Sequence, residues 1–225
     1  MTNTIITENT DTPPGNLVLQ YLVREPKVHL EKKRAMILLH GVGSNENDLF
    51  SLANQLPDDF LIIAPRGQFT LSAGRFAWFN VDFSTGKPIY NAEQEASSRE
   101  LIKKFIAQVK QKYNVSEIFL GGFSQGAIMS YTIGLTCPKE VKGIIALSGR
   151  LLLEIRPLLT KNEDLHQLKI FIAHGIQDNT LSIEYARDAK SFIENLCVQL
   201  SYHEYNIGHQ INNEVLQDLN SWLVK

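Results

Sequence analysis

Residues 118–127 read IFLGGFSQGA, an apolar run that breaks on glycines, presents a serine and passes directly into a segment with helical spacing. Gly122, Ser124 and Gly126 form the pattern G-x-S-x-G, whose small residues let the backbone turn sharply and leave the serine oxygen exposed between a strand and a helix. One such triplet arises by chance in roughly one chain in ten of this length, so its context decides. A β-rich run precedes the serine, and an apolar helical stretch from Ala127 to Leu135 follows it. The stretch therefore predicts a nucleophilic serine on a strand–turn–helix, rather than a core serine in an ordinary turn.

Short β-like runs alternate with helical periodicity along the rest of the chain. The runs lie at 35–40, 61–64, 117–121, 141–148, 169–173 and 198–205. Such alternation predicts an α/β fold, with a mainly parallel sheet covered by helices on both faces. With 225 residues and 44% hydrophobic content, the chain suits one domain. We expect this domain over 16–225, with an extra strand within 16–23 and a flexible N-terminal arm over 1–15.

Two segments do not fit this alternation. Residues 67–93 are rich in Phe, Trp, Gly and Ser and lack clear periodicity, which is typical of a functional loop in a compact domain. Residues 149–167 form a shorter segment with room for a helical turn or two. Neither segment is large enough for a separate cap domain, so we expect loops alone to cover the active site.

Composition excludes several classes of partner. The net charge is −2 and the 22 basic residues are scattered, so there is no electrostatic footprint for nucleic acid or an anionic membrane. No apolar run approaches membrane-spanning length, and the first residues lack the pattern of a secretory leader. These features predict a soluble, cytoplasmic protein without stable membrane insertion, and they leave a homodimer open. Cys137 and Cys197 are too few for a disulfide framework and lack the spacing of a metal or redox motif.

A nucleophilic serine needs an imidazole that takes its proton and a carboxylate that orients the imidazole. In hydrolases with the G-x-S-x-G pattern the chain order is serine, acid, histidine. The histidines that follow Ser124 are His166, His174, His203 and His209. His203 lies within a predicted strand, where a structural role is favoured. His209 lies in a loop past the last strand, at the carboxyl edge of the sheet where ligands bind in open α/β folds, and is the predicted base.

The predicted acid of the triad is Asp178. It follows the strand predicted at 169–173 by five positions, so it lies at the same edge of the sheet as the serine. Glu163 and Asp164 precede that strand and fall at the wrong edge. Glu184, Asp188 and Glu194 belong to a helix with an exposed charged face. The alternative for Asp178 is a residue at a helix N-terminus that complements the helix dipole.

An acyl-transfer site also needs two backbone N–H groups that stabilise the developing oxyanion. The residue after the nucleophile, Gln125, supplies one. The second is expected from the loop after an early strand, and residues 38–43, LLHGVG, form a strand that ends in a glycine-bearing turn. Val42 is the preferred donor. The alternative, a phosphate-binding loop, is disfavoured because residues 40–48 lack both nucleotide-binding glycine patterns.

Large apolar side chains concentrate in the irregular segment 67–93. They are Phe69, Leu71, Phe76, Trp78 and Phe79. We predict that Leu71, Phe76 and Trp78 wall a substrate groove beside the serine, where each buried methylene gains at most ~0.8 kcal/mol. The equally favoured alternative is that these side chains pin the segment to the core.

Four motifs together resemble those of the phospholipase/carboxylesterase family of α/β-hydrolases, which includes acyl-protein thioesterases and small bacterial carboxylesterases. They occur in family order and span most of the chain. They are LHGVG at 39–43 with Asp48-Leu49 after it, AWFN at 77–80, GFSQG at 122–126, and HGIQD at 174–178 followed by Gly208-His209.

The resemblance implies a single-domain α/β-hydrolase with a triad of Ser124, Asp178 and His209 and an oxyanion hole of the amides of Val42 and Gln125. It implies small-molecule or lipid-like substrates, namely carboxylic esters, thioesters or lysophospholipids, and neither a metal nor an organic cofactor. It favours Trp78 as the residue nearest the substrate. The chain also departs from the family pattern outside the chemistry, and the departures are Asn80, Ala127, Ser182 and Ile207.

The sequence thus predicts a serine hydrolase that cleaves esters through an acyl-serine intermediate. One alternative is an acyltransferase, in which an alcohol or amine replaces water at the last step. Another is a non-catalytic binding module on a hydrolase scaffold, since a fold does not determine function. The presence of all three triad groups disfavours the binding module.

Overall fold

The computed structural model of the protein describes residues 17–28, 30–82, 89–159, 165–196 and 198–224. The predicted arm over 1–15 lies outside the described residues. Eleven strands are present in this part of the chain: β1 Tyr21–Arg24, β2 Arg34–Leu39, β3 Phe60–Pro65, β4 Phe69–Ser72, β5 Arg75–Ala77, β6 Val81–Asp82, β7 Ile89–Tyr90, β8 Glu117–Phe123, β9 Gly143–Leu147, β10 Lys169–Gly175 and β11 Gln199–Tyr205. The helices of the same part are α1 Glu46–Phe50, α2 Ala92–Tyr113, α3 Gln125–Thr136, α4 Glu184–Ile193 and α5 Asn213–Leu223.

A seven-stranded sheet in the order β1-β3-β2-β8-β9-β10-β11 forms the centre of the fold. Its strands are parallel except for β1, which pairs antiparallel with β3 at one edge. The mainly parallel α/β fold is therefore confirmed. The predicted extra strand within 16–23 is displaced, because pairing with β3 begins at Tyr21 and ends at Arg24.

Helices cover both faces of the sheet, as predicted. On one face, α2, α3 and α4 enclose a large apolar cluster that includes Ile102, Phe105 and Ile133. On the other face, α1 and α5 enclose a second cluster that includes Leu49 and Leu219. The strands between these layers are almost wholly buried because both of their faces are covered. No helix in the described ranges is both long and apolar enough to cross a membrane.

The irregular segment 67–93 contains more regular structure than its sequence predicts. Strands β4 and β5 form an antiparallel hairpin, and β6 pairs with β7 around residues 83–88, which lie outside the described residues. Strands of two to four residues are too short to produce a readable alternation. The described part of 149–167 holds a 3₁₀ turn at Leu153–Leu158. Neither described part amounts to a cap domain, in agreement with the prediction.

Candidate active site

Ser124 lies on a sharp turn between β8 and α3. Its backbone has φ 54° and ψ −115°, a region that residues with a side chain rarely adopt. Such strain is typical of functional turns that the surrounding structure holds in place. A Cβ at Gly126 would lie 1.8 Å from the Leu39 carbonyl oxygen, and one at Gly122 would lie 2.3 Å from the Gly126 carbonyl carbon. Only glycine therefore allows the turn to pack this closely against β2.

Asp178 and His209 meet at the carboxyl edge of the sheet. The Nδ1–H of His209 donates to Asp178 Oδ2 at 2.6 Å, which leaves Nε2 as the basic nitrogen. Asp178 is buried, and its Oδ1 accepts from the backbone N–H groups of Thr180 and Leu181, both at 2.8 Å. The His209 ring lies 4.7 Å from that of Phe123, the residue that precedes Ser124. The structure thus brings the predicted base and acid together beside the serine turn.

The competing histidine lies elsewhere. His203 is on β11, where its ring packs against Phe171 and Tyr205 and its Nδ1 is 3.5 Å from Asp218. These contacts agree with the structural role predicted for it. The disfavoured acids Glu163 and Asp164 lie outside the described residues.

His174 is a neighbour of Asp178 that the sequence reasoning did not assign. Its Nε2–H donates to the Leu181 carbonyl at 2.7 Å and lies 3.3 Å from Asp178 Oδ2. Burial lowers the pKa of His174, so the ring is neutral under ordinary conditions. His174 therefore lies against Asp178 without adding a charge. The sequence signal for it was its place in the motif HGIQD, one residue past the predicted strand.

The two predicted oxyanion donors flank the serine turn. The N–H of Gln125 is the first of α3, and helices leave their first N–H groups without an internal partner. Val42 lies in the loop after β2, where a Cβ on the preceding Gly41 would lie 3.4 Å from Ser124 Cβ. In the described part of the chain, neither of these N–H groups donates to a backbone carbonyl. Both amides are thus available next to Ser124.

Comparison with known proteins identifies the family of the chain. A sequence model of the family described as Phospholipase/Carboxylesterase matches residues 23–225. The chain belongs to this family. It is 30% identical to acyl-protein thioesterase 1 of Kluyveromyces lactis, over 86% of this chain and 92% of that protein. It is 29% identical to acyl-protein thioesterase 1 of Mycosarcoma maydis, over 92% of this chain and 97% of that protein.

Solved structures share the fold. The Bacillus cereus carboxylesterase superposes with a TM-score of 0.79 at 23% identity, over 92% of this chain and 94% of that one. A carboxylesterase from Mesorhizobium loti gives a TM-score of 0.80 at 19% identity, over 98% of each chain. At these identities the likeness concerns the fold alone. Membership of the phospholipase/carboxylesterase family rests on the sequence matches, and it makes the chain an ester hydrolase by family.

In this family member, the β4–β5 hairpin braces the loop that carries Val42. Gly43 N–H donates to the Phe76 carbonyl and Phe76 N–H donates to the Ser44 carbonyl, both at 2.8 Å. Arg75 Nε adds a bond to the Gly43 carbonyl at 3.1 Å. Phe76 therefore acts on the site through its backbone, and its half-buried ring lies under the guanidinium of Arg66.

Leu71 and Trp78, the other two predicted groove residues, differ in exposure. Leu71 is 46% exposed on β4, so it is free to contact a substrate. Trp78 has 0% exposure. A side chain without exposed surface cannot wall an open groove, so the expected contact between Trp78 and substrate does not match the structure.

Trp78 instead links the two loops that supply the oxyanion donors. Its Nε1–H donates to the His40 carbonyl at 3.0 Å, two residues before Val42. Its backbone N–H donates to Gln125 Oε1 at 2.8 Å, and Gln125 Nε2 donates to the Phe79 carbonyl at 2.6 Å. These bonds are buried, where an unmet partner is costly. Trp78 is therefore placed to set the spacing between the amides of Val42 and Gln125.

Replacing Trp78 with Phe should test this role. The variant keeps an aromatic ring but loses the bond to the His40 carbonyl, a contribution of about 1 kcal/mol. We expect kcat to fall by roughly three- to tenfold with little change in KM, because the oxyanion donors act mainly in the transition state. The matched control is Trp222→Phe, since Trp222 packs on the opposite face of the sheet. An unchanged kcat together with an altered acyl-chain preference would show instead that Trp78 contacts the substrate.

A groove of about 250 Å³ opens directly beside His209. Its walls come from three separate segments, namely α1 with the turn after it, the end of β8, and the residues between His209 and α5. The lining residues are Asp48, Leu49, Ser51, Leu52, Phe123, His209, Gln210 and Ile211. Sequence reasoning missed this groove because no single segment carries its pattern. A larger depression of about 460 Å³ lies at the amino ends of β8 and β9, the opposite edge from Ser124.

Proposed function

We propose that this family member hydrolyses carboxylic esters or thioesters through an acyl group carried on Ser124. The observation that carries the proposal is the His209 Nδ1–Asp178 Oδ2 bond of 2.6 Å at the edge of the sheet where Ser124 is held in its strained turn. An oriented imidazole beside a serine is the arrangement that makes a hydroxyl nucleophilic at neutral pH.

In the acylation step, His209 Nε2 accepts the hydroxyl proton as Ser124 Oγ attacks the carbonyl carbon of the substrate. The π electrons move to the carbonyl oxygen, which accepts hydrogen bonds from the amides of Val42 and Gln125. The tetrahedral intermediate then collapses and the bond to the leaving oxygen or sulfur breaks. The protonated His209 gives its proton to the departing alcohol or thiol.

Deacylation repeats these steps with water. His209 Nε2 takes a proton from a water molecule, the hydroxide attacks the acyl carbon, and the same amides stabilise the oxyanion. The bond to Ser124 Oγ breaks, the serine regains its proton from His209, and a carboxylic acid leaves. Through both steps, Asp178 holds the imidazole tautomer and stabilises its positive charge.

The groups around the triad and the oxyanion donors hold them in position. The two backbone N–H groups that donate to Asp178 Oδ1 hold the carboxylate in position. The β4–β5 hairpin and Trp78 fix the oxyanion donors. A site pre-organised in this way does not have to reorganise during the reaction.

The substrates we propose are small-molecule or lipid-like esters and thioesters. The similar proteins named acyl-protein thioesterase support the thioester part, and the family description supports the ester part. A cytoplasmic location and a homodimer stay predictions.

The test is turnover of 4-nitrophenyl butyrate and of a butyryl thioester by the purified protein. We expect hydrolysis of both, with one carboxylic acid released for each substrate cleaved. Added methanol should divert only a minor share of the acyl groups, because water is the proposed acceptor. Absence of turnover on both substrates would refute the proposal, and predominant formation of methyl butyrate would favour the acyltransferase.

A further inference from the structure

The groove beside His209 lies where the mechanism sends one particular part of the substrate. His209 must pass its proton to the departing atom, so that atom lies within hydrogen-bonding reach of the imidazole, at about 2.6–3.2 Å. The carbonyl oxygen meanwhile points to the amides of Val42 and Gln125. The group attached to the departing atom therefore continues on the His209 side, where Phe123 and His209 line the groove.

The shape and the chemistry of the walls indicate the occupant. Leu49 is buried, while Leu52, Phe123 and Ile211 are half-buried, so the floor and sides are apolar. The groove volume of about 250 Å³ equals roughly eight water-sized groups at ~30 Å³ each. This is room for an alcohol or thiol of moderate size.

The rim adds a charge preference. Asp48 is exposed on α1 and is the only carboxylate among the described lining residues. Its Oδ2 accepts from Ser44 Oγ at 2.7 Å, which holds the carboxylate in place. An anionic group in the groove would be repelled, and a cationic one would be attracted.

The groove also has a firm frame. Helices α1 and α5 pack on the same sheet face, and Asn220 Nδ2 donates to the Gln55 carbonyl at 2.8 Å across the seam between them. The groove is lined by residues of α1, of the turn after it and of the segment between His209 and α5. Its walls therefore come from packed elements, which suits a site that selects by size.

We infer that this groove binds the leaving group of the substrate, and that it selects apolar alcohols or thiols, favouring those with a positive charge over their neutral isosteres. The inference rests on the proposed acyl-serine mechanism, because the mechanism sets which side of the ester faces His209. It names the class of substrate that the site prefers: esters and thioesters with a sizeable, non-anionic leaving group.

Two ester series separate the leaving group from the acyl group. One series holds acetate constant and lengthens the alcohol from methanol to octanol. The other holds methanol constant and lengthens the acid. In the alcohol series, kcat/KM should rise by up to about fourfold for each methylene that fits the groove. This quantity reports on acylation, so slow deacylation does not hide the effect.

A variant that fills the groove should act on one series only. With Ile211→Trp, we expect the ratio of kcat/KM for octyl acetate to that for methyl acetate to fall at least tenfold, while the slope of the acid series stays as in the wild type. Leu52→Trp fills the groove from the opposite wall, and it is the substitute variant if Ile211→Trp does not fold. The control is Val28→Trp, since Val28 is 51% exposed and lies at the other edge of the sheet.

A separate pair of esters tests the charge preference. Acetylcholine and 3,3-dimethylbutyl acetate have nearly the same shape but differ by one positive charge. We expect kcat/KM to favour acetylcholine, and Asp48→Asn to reduce that preference by up to about fivefold, as for an exposed ion pair. Asp188→Asn, at an exposed acid on α4, should leave the preference unchanged.

The possible results distinguish a failure of the groove proposal from a failure of the proposed mechanism. If the wild type hydrolyses neither these esters nor 4-nitrophenyl butyrate and the butyryl thioester, the proposed function fails; if it hydrolyses only the last two, the groove does not select alkyl leaving groups. If hydrolysis is normal but Ile211→Trp and Leu52→Trp leave the alcohol series unchanged, or flatten the acid series instead, the groove does not bind the leaving group. An unchanged preference for acetylcholine in Asp48→Asn overturns the charge preference.

Discussion

Replacing Ser124 with Ala should lower kcat for ester hydrolysis by roughly four to six orders of magnitude. The variant removes the oxygen that becomes acylated and leaves only the catalysis that binding and the oxyanion donors provide. Alanine tolerates the turn at φ 54° about as well as serine does, so the fold should persist. Steady-state rates with 4-nitrophenyl butyrate and a thermal unfolding curve measure the two expectations.

Ser130→Ala is the matched control for this change. Ser130 is a buried serine on α3 whose hydroxyl donates to the Gly126 carbonyl at 3.0 Å, away from the chemistry. We expect it to stay within a few-fold of wild-type activity. Near-normal turnover by Ser124→Ala, in a sample free of wild-type protein, would contradict the mechanism.

His209→Ala should be about as damaging as loss of the serine, because the members of a triad act as a unit. Asp178→Asn should lower kcat by roughly 10⁴-fold, since an amide that donates to Nδ1 favours the wrong imidazole tautomer. The variant that lacks both Ser124 and His209 should be no worse than either single variant.

The comparison that discriminates is His203→Gln. His203 packs against Phe171 and Tyr205 on β11, so its loss should cost stability rather than turnover. An inactive but folded His203→Gln beside an active His209→Ala would show that the wrong histidine had been assigned as the base. The assay is kcat for both variants, with circular dichroism as the check on folding.

The sheet was predictable because buried parallel strands have a strong sequence signature. Strands such as β2, β3 and β10 are covered on both faces and read as continuous apolar runs. The buried residues of α2 recur at helical spacing, so this helix also has a clear sequence signature; they include Ile102, Phe105, Ile106 and Val109. The short strand β1 was displaced because an edge strand of four residues has little pattern to place it.

The predicted acid and the predicted base are in contact in the structure. This contact could be predicted because it follows from the topology of the sheet rather than from composition. In a parallel sheet, the carboxyl ends of all strands reach one edge, so Asp178 and His209 were predictable from the strand that each follows. The same reasoning separated them from His203, which lies within a strand.

Neither the role of Trp78 nor the groove beside His209 could be predicted from the sequence, for physical reasons. An aromatic residue in an irregular segment has the same sequence signature whether it faces a ligand or the core, and the hydrogen bonds that decide for Trp78 join residues about 40 positions apart. The groove is formed by segments near Leu52, Phe123 and Ile211 that meet only after folding. Features of this kind depend on tertiary packing, which periodicity does not describe.

In the proposed mechanism, Ser124 Oγ is the atom that attacks the substrate, and His209 activates it. Labelling of the native protein with a fluorophosphonate, followed by intact mass measurement and peptide mapping, tests activation and identity together, since only an activated serine reacts readily. The mechanism predicts one adduct per chain on the peptide that contains Ser124, and no adduct on Ser124→Ala or after unfolding. An adduct at another residue, or an unlabelled protein that still hydrolyses esters, would contradict it.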